Sequence, residues 1–174
     1  MNNTKTIFKS LLIMIVAISL FTVSCSKDEG GKTTPTNPIV KVSADDITQT
    51  LKRLGQLKDT DQAQTVILDL SNINPQSGKA SITGANQSFG KVKTALGNVT
   101  STPQNILEVT DNLSTATKPT DKNKLNVELT FKAKSGFEFD ESITADSATA
   151  YTYDKNNKTA KLTLEITPAN NWTE

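Results

Sequence analysis

Two stretches near the C-terminus constrain the fold most. "NVELTFKAK" alternates Val127, Leu129, Phe131 and Ala133 with Glu128, Thr130, Lys132 and Lys134. "KLTLEIT" alternates Leu162, Leu164 and Ile166 with charged and polar partners. Successive side chains of a strand point to opposite faces, so each stretch reads as a strand with one apolar and one wet side. "TAYTY" and "DKNNK", between them, read as a further strand and a hairpin turn into the last strand. Strands of this kind pair as an antiparallel sheet covered on one side only.

The cover is sought upstream, where the period changes. "SADDITQTLKRLGQL" places Ile47, Leu51 and Leu54 on one helical face. Ser43 stands as N-cap, Asp45 and Asp46 fall in the first turn, Lys52 and Arg53 near the last, and Gly55 ends the helix. "TVILDLS" reads as a strand with Val66, Leu68 and Leu70 on one face. "NQSFGKVKTALGNV" carries Phe89, Val92, Leu96 and Val99 as a second helical stripe, weakened by Gly90 and Gly97. Thr102 and Pro103 read as the start of a third short helix through Ile106, Leu107 and Val109. "STATKPTDKNK" is a connecting loop. The predicted class is α+β, with two or three short helices packed on one face of a small antiparallel sheet. Residues 43–113 are expected to be helical and 125–167 mainly β.

The N-terminus has a different character. Lys5 and Lys9 give a positive start, "LLIMIVAISLF" runs from Leu11 to Phe21, and Thr22 and Ser24 are small. This is the anatomy of a secretory signal, here residues 1–24. The apolar run is shorter than the roughly 20 residues of a membrane-spanning helix. Cys25, the only cysteine in 174 residues, follows at once. A lone thiol cannot staple a secreted domain. "TVSC" resembles the lipobox of bacterial lipoproteins, with Thr22 where leucine is usual. That resemblance implies diacylglycerol and N-acyl lipid on Cys25 and a membrane partner held through the lipid. "SKDE", comprising Ser26, Lys27, Asp28 and Glu29, resembles the surface-export signal of Bacteroidota lipoproteins. It implies an outer-membrane protein facing the exterior. The alternative for "SKDE" is a plain charged tether.

Ser26 to Pro38 is rich in Gly, Thr, Pro and charge, so residues 25–38 read as a flexible tether. Fully extended, the thirteen residues from Ser26 to Pro38 would reach roughly 40 Å at about 3.3 Å each. Residues 39–174 form one domain, long enough to bury a core without a disulfide or metal.

Function classes narrow by subtraction. The sequence holds no histidine, which removes Ser–His and Cys–His nucleophile pairs and histidine-based zinc sites. Without Lys5 and Lys9 the chain has 17 basic and 18 acidic residues, and the charges alternate, which argues against a nucleic-acid partner. "GANQSFGK" lacks the spacing of a phosphate-binding loop. "DKNNKTAKLTLE", from Asp154, matches a calcium loop at three positions but puts Lys158 in the ligand shell and Thr159 where glycine must stand. Asp45–Asp46 and Asp140–Glu141 are adjacent carboxylates. The first pair reads as a helix start and the second as strand neighbours facing opposite ways. No catalytic residue, metal ligand or cofactor other than the Cys25 lipid is assigned.

Six of the nine aromatics lie between Phe131 and Trp172. Tyr151 and Tyr153 share a strand face. With Trp172 they are the candidate platform for an extracellular glycan or protein ligand, set against the reading that they pack the core. "SGKASITGA" (Ser77 to Ala85) echoes "SGFEFDESITADSA" (Ser135 to Ala148). "NVELTFKAKSGFEFDES" resembles the lipoprotein-associated repeat domains of mycoplasma lipoproteins, which implies a surface binding or structural module. "DSA", with Ser147 as acceptor, resembles the protein O-glycosylation motif of Bacteroidota. The expectation is a non-catalytic binding or structural module. The alternatives are a small carboxylate enzyme acting on glycans, or a periplasmic accessory subunit of an envelope complex.

Overall fold

The computed structural model describes residues 38–60, 65–145 and 150–174. The signal segment, Cys25 to Glu29, nearly all of the tether and Ser147 lie outside the described residues.

The strands with period two form the centre. β6 (Leu125–Ala133) and β9 (Thr159–Pro168) pair antiparallel with Val127 opposite Leu164 and Leu129 opposite Leu162. Leu125, Val127, Leu129 and Phe131 are buried, as are Leu162, Leu164 and Ile166. Alternation therefore translates directly into one buried face. β5 (Leu107–Asp111) adds antiparallel to β6, and β4 (Lys79–Ala85) lies parallel to β9. β8 (Thr152–Asp154) pairs antiparallel with the start of β9. The five-stranded sheet is thus mixed, with one parallel pair where a purely antiparallel sheet was expected.

β8 and β4 meet end to end along β9, and Gly78 makes that seam possible. Its φ is +71°, and a Cβ there would collide with the Thr152 hydroxyl.

Helix α1 (Ala44–Leu54) forms as its caps dictate. Ser43 Oγ accepts from Asp46 N, Asp46 Oδ2 accepts from Ser43 N at 2.8 Å, and Gly55, at φ +61°, closes the end. Ile47 and Leu51 are buried. β2 (Gln56–Lys58) and β3 (Val66–Asp69) make a separate antiparallel hairpin. In β3 both Ile67 and Leu68 are buried, whereas Val66 is exposed, so the expected Val66–Leu68–Leu70 face is only partly buried. Helix α2 (Phe89–Ser101) buries Val92, Ala95, Leu96 and Val99. It contains both doubtful glycines, because the packed stripe outweighs their helix cost of roughly 1 kcal/mol each. α2 packs on β3 and β5.

The expected third helix after Thr102–Pro103 is absent. Thr102 instead caps the C-terminus of α2, its Oγ1 donating to the Asn98 carbonyl at 2.6 Å. "LEVTD" is strand β5, with Leu107 and Val109 toward the core. A 3₁₀ turn follows at Leu113–Thr115. The segment 43–113 therefore alternates helices with strands, in place of the mainly helical layout expected.

The third helix, α3 (Glu141–Thr144), stands in the C-terminal half. It follows β7 (Phe137–Phe139), which pairs parallel with β1 (Val40–Val42). Among the described residues the sequence echo has no structural counterpart. Ser81-Ile82-Thr83 lies in strand β4, whereas Ser142-Ile143-Thr144 lies in helix α3, where the Asp140 cap wins over the shared residues.

Candidate binding site

The aromatic platform does not exist. Tyr151 is fully buried, edge-on to Phe131 at 5.7 Å, and its hydroxyl meets Thr48 Oγ1 at 2.9 Å. Burial pushes the Tyr151 phenol up to about 12, against the smaller opposing effect of the Thr48 bond. Tyr153 is half-buried and packs edge-on to Phe139 at 6.0 Å. Trp172 is 6% exposed, edge-on to Phe89 at 6.3 Å, and its Nε1 donates to the Asn123 carbonyl at 2.9 Å. All three candidate binding aromatics serve packing. Each has found an apolar partner, which a strand-face argument from sequence cannot see.

The carboxylates also have structural employment. Ser–Asp contacts superficially suggest a nucleophile and its base. Yet Asp46, Asp69, Asp140 and Asp111 each also accept a backbone N–H, from Ser43, Ser71, Ser142 and Leu113, at 2.8 to 2.9 Å. They are turn and helix caps. The Ser43 backbone and hydroxyl hydrogen bonds hold Asp46 below the usual carboxylate range, and the Ser71 hydroxyl and N–H do the same to Asp69. A depressed carboxylate is a poorer base. Asp140 and Glu141, expected on a strand, are the N-cap and first residue of α3. Asp154 does not start a calcium loop. Its Oδ1 accepts from Asn156 N and Asn157 N and closes the β8–β9 turn, where Lys158 has φ 52°. Among the described residues no three of His, Cys, Asp and Glu form a group able to hold a metal.

One concavity joins apolar and polar groups. A cavity of about 300 Å³ lies between α2 and the β2–β3 hairpin. Leu57, Ile67 and Ala95 contribute apolar lining, and Lys91, Thr94 and Asn98 project from the helix. Residues 91, 94, 95 and 98 recur at helical spacing, so α2 presents this face beside its buried stripe. Asp59, 6% exposed, pairs with the ammonium of Lys91, whose side chain is 46% exposed. Asp59 N also donates to the Thr65 carbonyl at 2.9 Å, which closes the hairpin, while the Asp59–Lys91 pair ties the hairpin to the helix. The Asn98 amide and the half-exposed Lys91 side chain stand over an apolar floor, while the Thr94 hydroxyl donates to the Gly90 carbonyl at 3.0 Å. An apolar floor with a few polar groups suits a small polar molecule or a peptide side chain.

Comparison with family models, with curated proteins and with solved structures gives no match.

The sheet's outer face carries charged pairs. Glu165 lies between Lys124, at 3.1 Å, and Lys79, at 3.7 Å, and Lys161 meets Glu128 at 3.1 Å. Lys124, by hydrogen bond and charge, holds Glu165 below the usual carboxylate range. Such surface pairs contribute little stability. They keep this face wet. The sequence signal for the groove was present only in part: the 91–94–98 spacing is visible, but its partner hairpin is set by tertiary packing.

Proposed function

We propose that this chain is a bacterial lipoprotein whose folded domain is a non-catalytic binding or structural module, held on the outer membrane through Cys25 and facing outward. The observation that carries this reading is the order of residues: an apolar run, then "TVSC", then "SKDE", then a Gly/Thr/Pro-rich tether. The lipid on Cys25 supplies the membrane partner, and the tether leads directly to β1 at Val40. The α2–hairpin groove is the place for an extracellular glycan or protein ligand, replacing the Tyr151–Tyr153–Trp172 platform.

Protease shaving of intact cells tests the orientation, with lysed cells and a Lys27/Asp28/Glu29 triple-alanine variant alongside. Digestion in intact cells that is lost in the variant supports outward display through "SKDE". Protection of the wild-type protein in intact cells overturns it and favours a periplasmic accessory role.

A further inference from the structure

The two most exposed large aliphatic residues among those described are neighbours, Ile39 at 54% and Val40 at 52%. They stand where the tether enters the fold, fourteen residues beyond Cys25. Val40 N donates to the Gly136 carbonyl at 3.0 Å, which joins this entry point to the 134–137 turn and half-buried Phe137. Lys134 N donates to the Ile106 carbonyl at 3.0 Å, bringing half-buried Ile106 beside the same turn. The β8–β9 turn projects beyond this end of the sheet as well, since Thr159 lies opposite Lys132.

The charges at this end lean one way. Lys41, Lys132, Lys134, Lys155 and Lys158 belong to the segments that meet here, against Glu108, Glu138 and Asp154, and the ammonium of half-buried Lys134 donates to the Gln104 carbonyl. Lys41 is paired with Glu138. An apolar tip with an excess of lysines at the same end has the composition of an interfacial membrane contact, where aliphatic groups enter the headgroup layer and ammonium groups meet lipid phosphate.

We propose that this end of the domain rests on the membrane, with Ile39 and Val40 inserted among the headgroups and lysines of the same end on lipid phosphates. The proposal builds on lipid attachment at Cys25. Two aliphatic side chains cannot recruit a free protein to a bilayer. A short tether, however, holds them at an effective concentration on the order of millimolar, where a weak contact is populated. The opposite end, with Asp121 and Lys122, then points away from the lipid and leaves the α2–hairpin groove accessible.

The test uses the full lipidated protein in phosphatidylethanolamine–phosphatidylglycerol vesicles. Cys25 is blocked by its lipid, so single cysteines take an environment-sensitive fluorophore: Val40→Cys, Ser135→Cys on the same end, and Lys122→Cys at the far end. Flotation is read first, then quenching by lipids brominated on the acyl chain. Flotation with quenching at 40 and 135 at least about twofold that at 122 supports the proposal. Flotation with equal quenching at all three sites overturns it and leaves the anchor standing. Failure to float overturns the anchor and the proposal together.

Discussion

The indole Nε1 of Trp172 donates to the backbone carbonyl of Asn123 at 2.9 Å, and the flanking backbone completes a clasp. Trp172 N donates to Asp121 O, Thr173 N to Gln87 O, and Phe89 N to Thr173 O. The last residues of the chain thereby fasten the start of α2 to the turn before β6. Trp172 is also the only tryptophan, so its fluorescence reports the clasp directly.

Replacing Trp172 with alanine is expected to cost about 3–5 kcal/mol in urea unfolding, the range for truncating a large buried aromatic. Trp172→Phe keeps most of the ring contact and loses the hydrogen bond, so the loss should be nearer ~1 kcal/mol. Equal losses for the two variants would show that the ring packing against Phe89 contributes little.

Tyr151 imposes a pH dependence at the alkaline end. Its folded pKa, about 12, lies above the unfolded value of 10.0, so the fold favours the protonated phenol. That stability is complete below pH 10 and declines as pH rises toward 12, by on the order of 2 kcal/mol in all. Tyr151→Phe should flatten this part of the profile while costing ~1 kcal/mol at neutral pH for the lost Thr48 bond. An unchanged profile in the variant would assign the alkaline transition elsewhere.

Gly78 carries two separable demands, a left-handed φ and the nearness of Thr152. Gly78→Ala should destabilise by about 2–3 kcal/mol from strain and overlap together. Adding Thr152→Ala removes the overlap and should recover part of that loss, leaving a residue of ~1 kcal/mol for the φ. A double-mutant cycle with no coupling would mean that the two residues do not meet across the β4–β8 seam.

The hydroxyl of Thr159 is buried with no hydrogen-bond partner among the described residues. Thr159→Val preserves the shape and removes an unpaired polar group, so it should stabilise by ~1 kcal/mol in thermal or urea unfolding. A loss of stability would show that the hydroxyl is satisfied.

Some of this fold was legible in the residues. Ser43, Asp46 and Gly55 mark α1 because capping is local chemistry, and β6 and β9 declare themselves by alternation. β5 is masked in the sequence because Thr102–Pro103 has the chemistry of a helix start, whereas Thr102 caps the end of α2. The alternation of Leu107 and Val109 with Glu108 and Thr110 was the better signal. β1 and β7 have three residues each, too few for any period to appear. The parallel pairing of β4 with β9 joins residues 84 apart, such as Lys79 with Thr163 and Ser81 with Glu165, and no local pattern encodes it. The aromatics failed as a site for a related reason: Tyr151 and Trp172 are placed by Phe131 and Phe89, partners that lie far away in sequence.

The most direct test of the account is the intact mass and N-terminal peptide of the protein purified from bacterial membranes, beside a Cys25→Ser variant. The expected result is a mature chain beginning at Cys25 and carrying a glyceride and an N-linked acyl chain, with the variant released from the membrane or left unprocessed. A wild-type protein with a free thiol at Cys25, or one still beginning at Met1, would contradict it.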